Sequence, residues 1–150
     1  IHYQNPNIIA GCLPIHQGKV LLCKRAIEPR SGYWTLPAGF MENGESVEEG
    51  ALRETWEEAQ AKVKLTALYT IYSIPQINQV YMIFKGQLDK PEFGAGIESL
   101  EVELFDEADI PWDELAFPMV TKTLQYFFED RKKDHYPLRS EVLRRPKLKT

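Results

Sequence analysis

Three glutamates, Glu54, Glu57 and Glu58, stand at i, i+3 and i+4 in the stretch Leu52-Arg53-Glu54-Thr55-Trp56-Glu57-Glu58-Ala59. On a helix of about 3.6 residues per turn this spacing puts all three carboxylates on one face. Like charges so placed repel by about 0.2–0.5 kcal/mol per pair, and a hard divalent cation held by oxygen ligands is a natural counter-charge. Gly50 stands one turn earlier on that face, where the missing side chain would let a ligand approach the helix. A plainer reading fits the same residues: a solvated acidic face, with Arg53 paired to Glu49 and Glu57 four residues away on either side. Helical spacing alone leaves both readings open.

The elements that would position these carboxylates can be read from local chemistry. A helix is predicted over residues 46–59, because Ser46 and Glu49 form a capping-box pair. Glu45, Glu48 and Glu49 complement the positive end of its dipole. Leu52, Thr55, Trp56 and Ala59 are expected to form the apolar stripe that packs on the core, on the side away from Glu54. Upstream, Gly32-Tyr33-Trp34-Thr35-Leu36-Pro37-Ala38-Gly39 reads as a strand running into a turn. Residues 8–15 and 19–25 read as a hairpin around His16-Gln17-Gly18, and residues 63–74 and 79–88 as a second strand pair. A short strand follows at 102–105. Val120, Leu124, Phe127 and Phe128 mark one face of a helix over 120–131. The expected fold is mixed α/β (α+β), one domain over residues 1–150 with a mixed sheet sandwiched between helices. Its basic end, residues 139–150, is expected to be a weakly ordered tail.

The remaining composition narrows the function classes. A formal net charge of -4 over 150 residues argues against a nucleic-acid scaffold. No stretch approaches the roughly 20 apolar residues of a membrane span, so no membrane partner is expected. Cys12 and Cys23 both lie in apolar runs and read as buried free thiols, which points to a reducing, cytoplasmic compartment. No signal peptide is visible, and Ile1 in place of Met leads to the expectation that the native start lies upstream. His2, His16 and His135 fall outside any metal-ligand spacing. Trp34, Trp56 and Trp112 read first as packing residues, as do Tyr72 and Tyr81, although either tyrosine could stack on a planar base.

A strand, a glycine turn and a helix with three carboxylates together resemble the Nudix box. That pattern runs Gly, five residues, Glu, seven residues, Arg-Glu, an apolar residue, any residue, Glu-Glu, any residue, Gly and an apolar residue. Gly39, Glu45, Arg53, Glu54, Glu57 and Glu58 match it, with Ala61 in the last slot. Thr55 replaces the usual aliphatic residue and Gln60 the final glycine, which predicts a cost of up to about 1 kcal/mol at the helix cap or a slightly longer helix.

The resemblance implies that Glu54, Glu57, Glu58 and the carbonyl of Gly39 hold Mg²⁺ or Mn²⁺, with Glu45 and Arg53 orienting those carboxylates. It implies hydrolysis of a nucleoside diphosphate linked to another group, with Glu54, Glu98 or Glu101 as candidate general bases. Segments from His2 to Phe128, including Tyr3-Gln4-Asn5-Pro6 and Ile110-Pro111-Trp112-Asp113-Glu114-Leu115, resemble the branch of ADP-ribose and FAD pyrophosphatases. Relatives in that branch often carry a zinc ribbon before the first of these segments, and no such Cys pairs occur here. The branch implies ADP-ribose or FAD as substrate, Arg25 and Arg30 as phosphate contacts, and a homodimer. Alternatives are a sensor that binds without cleaving, or a hydrolase of NADH or dinucleoside polyphosphates.

Overall fold

The computed structural model describes residues 4–144. Its framework is a mixed sheet of eight strands: β1 (Asn7–His16), β2 (Lys19–Arg25), β3 (Trp34–Thr35), β4 (Ala38–Phe40), β5 (Lys64–Ile74), β6 (Gln79–Gln87), β7 (Ser99–Phe105) and β8 (Arg139–Val142). Helix α1 (Val47–Ala59) follows β4, and helix α2 (Pro118–Lys133) precedes β8. Because successive strand residues point to opposite faces, β2 serves two layers. Val20 and Leu22 join the cluster closed by Val120, Leu124, Phe127 and Phe128 of α2. Leu21 and Cys23 face the other way, toward Ala59 at the end of α1. Ala10 of β1 and Phe84 of β6 extend that second layer under Ala51. One helix covers each face, as the sequence pattern predicts.

Strand β1 organises the site. It pairs in parallel with β6 along its length, but it meets β2 only at Ile15–Val20 and His16–Lys19. Beyond those pairs the two strands part, and residues 34–40 fill the gap. Here β3 pairs with β2 at Cys23 and Lys24, while β4 pairs with β1 from Ile9 to Gly11. The Cys12 N–H donates to the Pro37 carbonyl at 3.0 Å, stitching the turn between β3 and β4 to β1. The insertion carries Gly39 to the middle of the sheet, against α1.

Several expectations need correction. Residues 139–142, taken as the start of a weakly ordered tail, form a parallel strand in which Arg139–Val142 pair with Thr70–Ser73 of β5. The basic composition concealed a specific partner: Arg139 Nη2 donates at 2.6 Å to Asp130 of α2, whose carboxylate also accepts from the Tyr69 hydroxyl. The rest of that expected tail, residues 145–150, lies outside the described residues, as does His2. Trp34 is core, but Trp56 and Trp112 are exposed. Cys12 and Cys23 are free and buried, and burial pushes both thiols up, Cys12 to about 12, so neither is a ready nucleophile. No described helix is long and apolar enough to cross a membrane.

Candidate active site

Helix α1 begins as its sequence dictates. The Glu49 N–H donates to Ser46 Oγ at 3.1 Å, and the Ser46 N–H donates to Glu49 Oε1 at 2.9 Å. Its buried face matches the expected stripe only at Thr55 and Ala59 and is otherwise rotated toward Glu54. Gly50, Ala51, Glu54, Thr55, Glu58 and Ala59 are buried, whereas Leu52 and Trp56 are 39% and 51% exposed. Small residues let the helix lie close on β1, and Gly50 packs near Ala10 and Glu45 instead of leaving room for a ligand. The Thr55 hydroxyl is satisfied by the Ala51 carbonyl at 2.7 Å, so burial at this position needs no aliphatic side chain. Glu54 and Glu58 are thereby driven into the sheet, and Glu57 points outward.

Arg53 ties the acidic groups together. Its Nε and Nη2 donate to Glu45 at 3.0 and 2.8 Å, its Nη1 to Glu54 at 2.8 Å and Glu57 at 3.1 Å, and Nη2 also to the Phe40 carbonyl at 3.1 Å. Only a planar guanidinium has enough donors in a fixed fork for this set. The Arg53 hydrogen bonds, helped by the Glu42 N–H, hold Glu45 well below the usual carboxylate range, at about 2. Glu54 and Glu58 behave oppositely. Burial raises Glu54, partly offset by Arg53. Burial and the nearby Glu54 charge push Glu58 to about 8, against the Ala38 N–H at 2.7 Å and the charge of Arg25. A Cβ on Gly39 would overlap the Glu54 carboxyl, so only glycine allows that carboxylate to lie on the strand.

The far end of α1 brings in a residue from a distant loop. The helix stops at Ala59, and Gln60 takes the left-handed conformation (φ 48°, ψ 38°) that glycine would adopt more cheaply, without lengthening the helix. Its last carbonyls are capped from outside: Gly94 N–H bonds Ala59 O at 2.8 Å, Gly96 N–H bonds Glu58 O at 3.1 Å, and Ser99 Oγ bonds Glu58 O at 2.8 Å. This capping holds Glu98 where its charge acts on both Glu54 and Glu58. Glu101 is not brought there; it is exposed on β7 opposite Lys24.

Glu54, Glu58, Glu98 and Gly39 line one side of a cavity of about 840 Å³. Arg25 lines it too, with its guanidinium 5.1 Å from the Phe117 ring. Arg30 stacks on Tyr33 at 3.8 Å, donates to the Ala116 carbonyl at 3.2 Å, and does not line the cavity. Tyr72 is core, its hydroxyl bonded to Thr123 Oγ1 at 2.8 Å, while Tyr81 borders the cavity. The opposite wall consists of Phe117 and Met119 at the start of α2 and Val142 and Leu143 at the end of β8. Sequence reading missed these wall residues because they meet only when remote segments pack, and no local spacing signals it. Among the described residues no three acidic, His or Cys side chains stand close enough together to hold a metal ion as they are, and Glu54 and Glu57 are both bonded to Arg53.

The NUDIX domain family matches residues 6–134. An ADP-ribose pyrophosphatase from Methanocaldococcus jannaschii is 34% identical over 119 residues, which cover 77% of this chain and 69% of that protein. An NAD-capped RNA hydrolase from Chromobacterium violaceum is 34% identical over 92 residues, and the match spans 61% of this chain but only 33% of that enzyme. The crystal structure of a NUDIX hydrolase from Nitrosomonas europaea superposes with a TM-score of 0.94 at 50% identity, covering 96% of this chain and 82% of that one. With the box residues gathered on α1 and β4 and the family matched over most of its length, the chain belongs to the Nudix hydrolases.

Proposed function

We propose that the chain is a divalent-metal-dependent pyrophosphohydrolase that cleaves the pyrophosphate of an ADP conjugate, ADP-ribose or FAD, into AMP and the other monophosphate. The observation that carries this reading is the set of carboxyl groups on one side of a nucleotide-sized cavity, where Glu54, Glu58 and Glu98 line the wall and the charge of Arg25 acts on Glu58. Carboxyl groups gathered there are hard oxygen donors suited to a small divalent cation. Glu54, Glu57, Glu58 and the Gly39 carbonyl would hold Mg²⁺ or Mn²⁺, which when bound polarises phosphoryl oxygens and lowers the pKa of coordinated water.

The chain's own residues do the rest. Arg53, fixed by Glu45 and the Phe40 carbonyl, orients Glu54 and Glu57. Arg25 offsets the phosphate charge. Glu98 takes the proton from the attacking water as its oxygen bonds to phosphorus; the bond from that phosphorus to the bridging oxygen breaks, and the bridging oxygen leaves with the second phosphate. The Methanocaldococcus relative, an ADP-ribose pyrophosphatase, supports ADP-ribose as the first substrate to test. The test is a panel of ADP-ribose, FAD, NADH, NAD, diadenosine polyphosphates, CoA and dNTPs with Mg²⁺ and with Mn²⁺, with phosphate-containing products identified. AMP from ADP-ribose or FAD is the expected result. Binding without cleavage of any of these compounds would identify a sensor instead.

A further inference from the structure

Glu98, the base in the reading above, stands on a loop whose own side chains do not hold it. Ala95, Ile97 and Glu98 are exposed, Ile97 to 97%, so no side chain between Gly94 and Glu98 anchors the segment by burial. A group that moves a proton has to stay within about 0.5 Å of its working position, and loops supply that precision less well than helices or strands. The precision here comes from hydrogen bonds to α1 and β2.

A helix leaves its last carbonyls without partners of its own, and the loop takes them. The Gly96 N–H at 3.1 Å and Ser99 Oγ at 2.8 Å both donate to the carbonyl of Glu58, whose carboxyl lines the cavity with Glu98. From β2, the Ala26 N–H donates to the Glu98 carbonyl at 2.9 Å, and Ser99 pairs with Arg25. Glu98 is thus pinned on both sides along the chain and tied to the residue that carries the neighbouring carboxyl. The two glycines of the loop differ. A Cβ on Gly96 would overlap the Glu57 carbonyl, which is helix backbone and cannot give way. A Cβ on Gly94 would meet Gln60 Oε1 at 2.9 Å, the far end of a flexible side chain.

We propose that Gly96 and Ser99 are positioning residues for Glu98: the glycine lets the loop backbone reach the end of α1, and the Ser99 hydroxyl locks it to the Glu58 carbonyl. The proposal rests on the hydrolase reading above, and a Glu98→Gln background with a readout other than turnover separates the two. The test measures kcat and KM for ADP-ribose at saturating Mg²⁺ in Ser99→Ala, Ser99→Thr, Gly96→Ala and Gly94→Ala. Ser99→Ala and Gly96→Ala are also each combined with Glu98→Gln, and amide hydrogen exchange is followed in Ser99→Ala.

Ser99→Ala should lower kcat about tenfold at unchanged KM, the scale of one lost hydrogen bond, and Ser99→Thr, which keeps the hydroxyl, should restore most of it. Gly96→Ala has to displace the loop and should cost at least roughly a hundredfold, Gly94→Ala only a small part of that. Neither Ser99→Ala nor Gly96→Ala should slow the Glu98→Gln enzyme much further, because each acts through that carboxylate. Amide exchange over residues 94–99 should quicken in Ser99→Ala, with residues 47–56 as in wild type. Wild-type kcat in Ser99→Ala, equal losses at the two glycines, or losses that add in full to Glu98→Gln overturn the proposal. A wild-type rate in Glu98→Gln also overturns it, by removing the base that the loop serves. If the wild type cleaves nothing but exchange quickens over residues 94–99 alone, the hydrolase reading fails and the anchoring of Glu98 stands.

Discussion

At Gly39 one methyl group decides whether the site can form. The Glu54 carboxyl occupies the volume a Cβ would need, so Gly39→Ala must displace either β4 or the carboxylate. A shift of about 1 Å at reacting groups costs on the order of a hundredfold in rate, and steady-state assay of Gly39→Ala should show a loss of at least that size. Arg53 makes a second residue-level test. Lysine keeps its charge but cannot reach Glu45, Glu54, Glu57 and the Phe40 carbonyl at once. Arg53→Lys should raise the Mg²⁺ concentration for half-maximal activity roughly 10–100-fold, the usual scale for losing an outer partner of a metal ligand; an unchanged Mg²⁺ titration would contradict that role. These positions were legible in the sequence because they lie within one strand, turn and helix. Tyr81 and Arg25 came from separate strands, and their convergence on one cavity had no local signature.

The orientation of α1 shows how periodicity can assign a helix and misassign its face. Residues 46–59 matched the observed cap and end, and Thr55 and Ala59 of the predicted stripe are buried, but large apolar Leu52 and Trp56 drew the rest of it to the exposed side. Close approach to β1 depends on small Gly50 and Ala51, which carry little weight in a hydrophobicity pattern. At the same helix's end, Gln60 holds a left-handed conformation. Gln60→Gly should relieve that strain and stabilise the protein by about 1 kcal/mol, a thermal midpoint rise of roughly 2–4 °C.

Strand β8 offers a pH test. Burial pushes Asp130 up, but the Arg139 hydrogen bonds and the Tyr69 hydroxyl outweigh it, so its folded pKa is depressed. Its contribution is thus complete above the unfolded value of about 3.9 and is lost as pH falls through the lower folded value. Arg139→Met should cost about 2 kcal/mol near neutrality by leaving a buried carboxylate unpaired. In thermal melts against pH, the gap between wild type and variant should narrow below about pH 4; a constant gap would show that the pair is not what anchors β8.

Over the whole molecule, the parting of β1 and β2 creates the slot for residues 34–40, and the helices on the two faces close the two ends of the arrangement. One helix carries the carboxylates, while the other, with β8, walls the cavity opposite them. The mixed sheet and its covering helices were legible from alternating strands and two amphipathic segments. The role of residues 139–144 was not, because a four-residue strand has no signal apart from the partner that binds it. Glu58 stands at the centre of the proposed reaction: it is buried, raised to about 8 and held by the Ala38 N–H. The most direct test is the rate of AMP release from ADP-ribose at saturating Mg²⁺ by Glu58→Gln, with folding checked by circular dichroism. A folded variant slowed at least roughly a hundredfold, about 2.7 kcal/mol of barrier, is the predicted result; a folded variant turning over at close to the wild-type rate would contradict it.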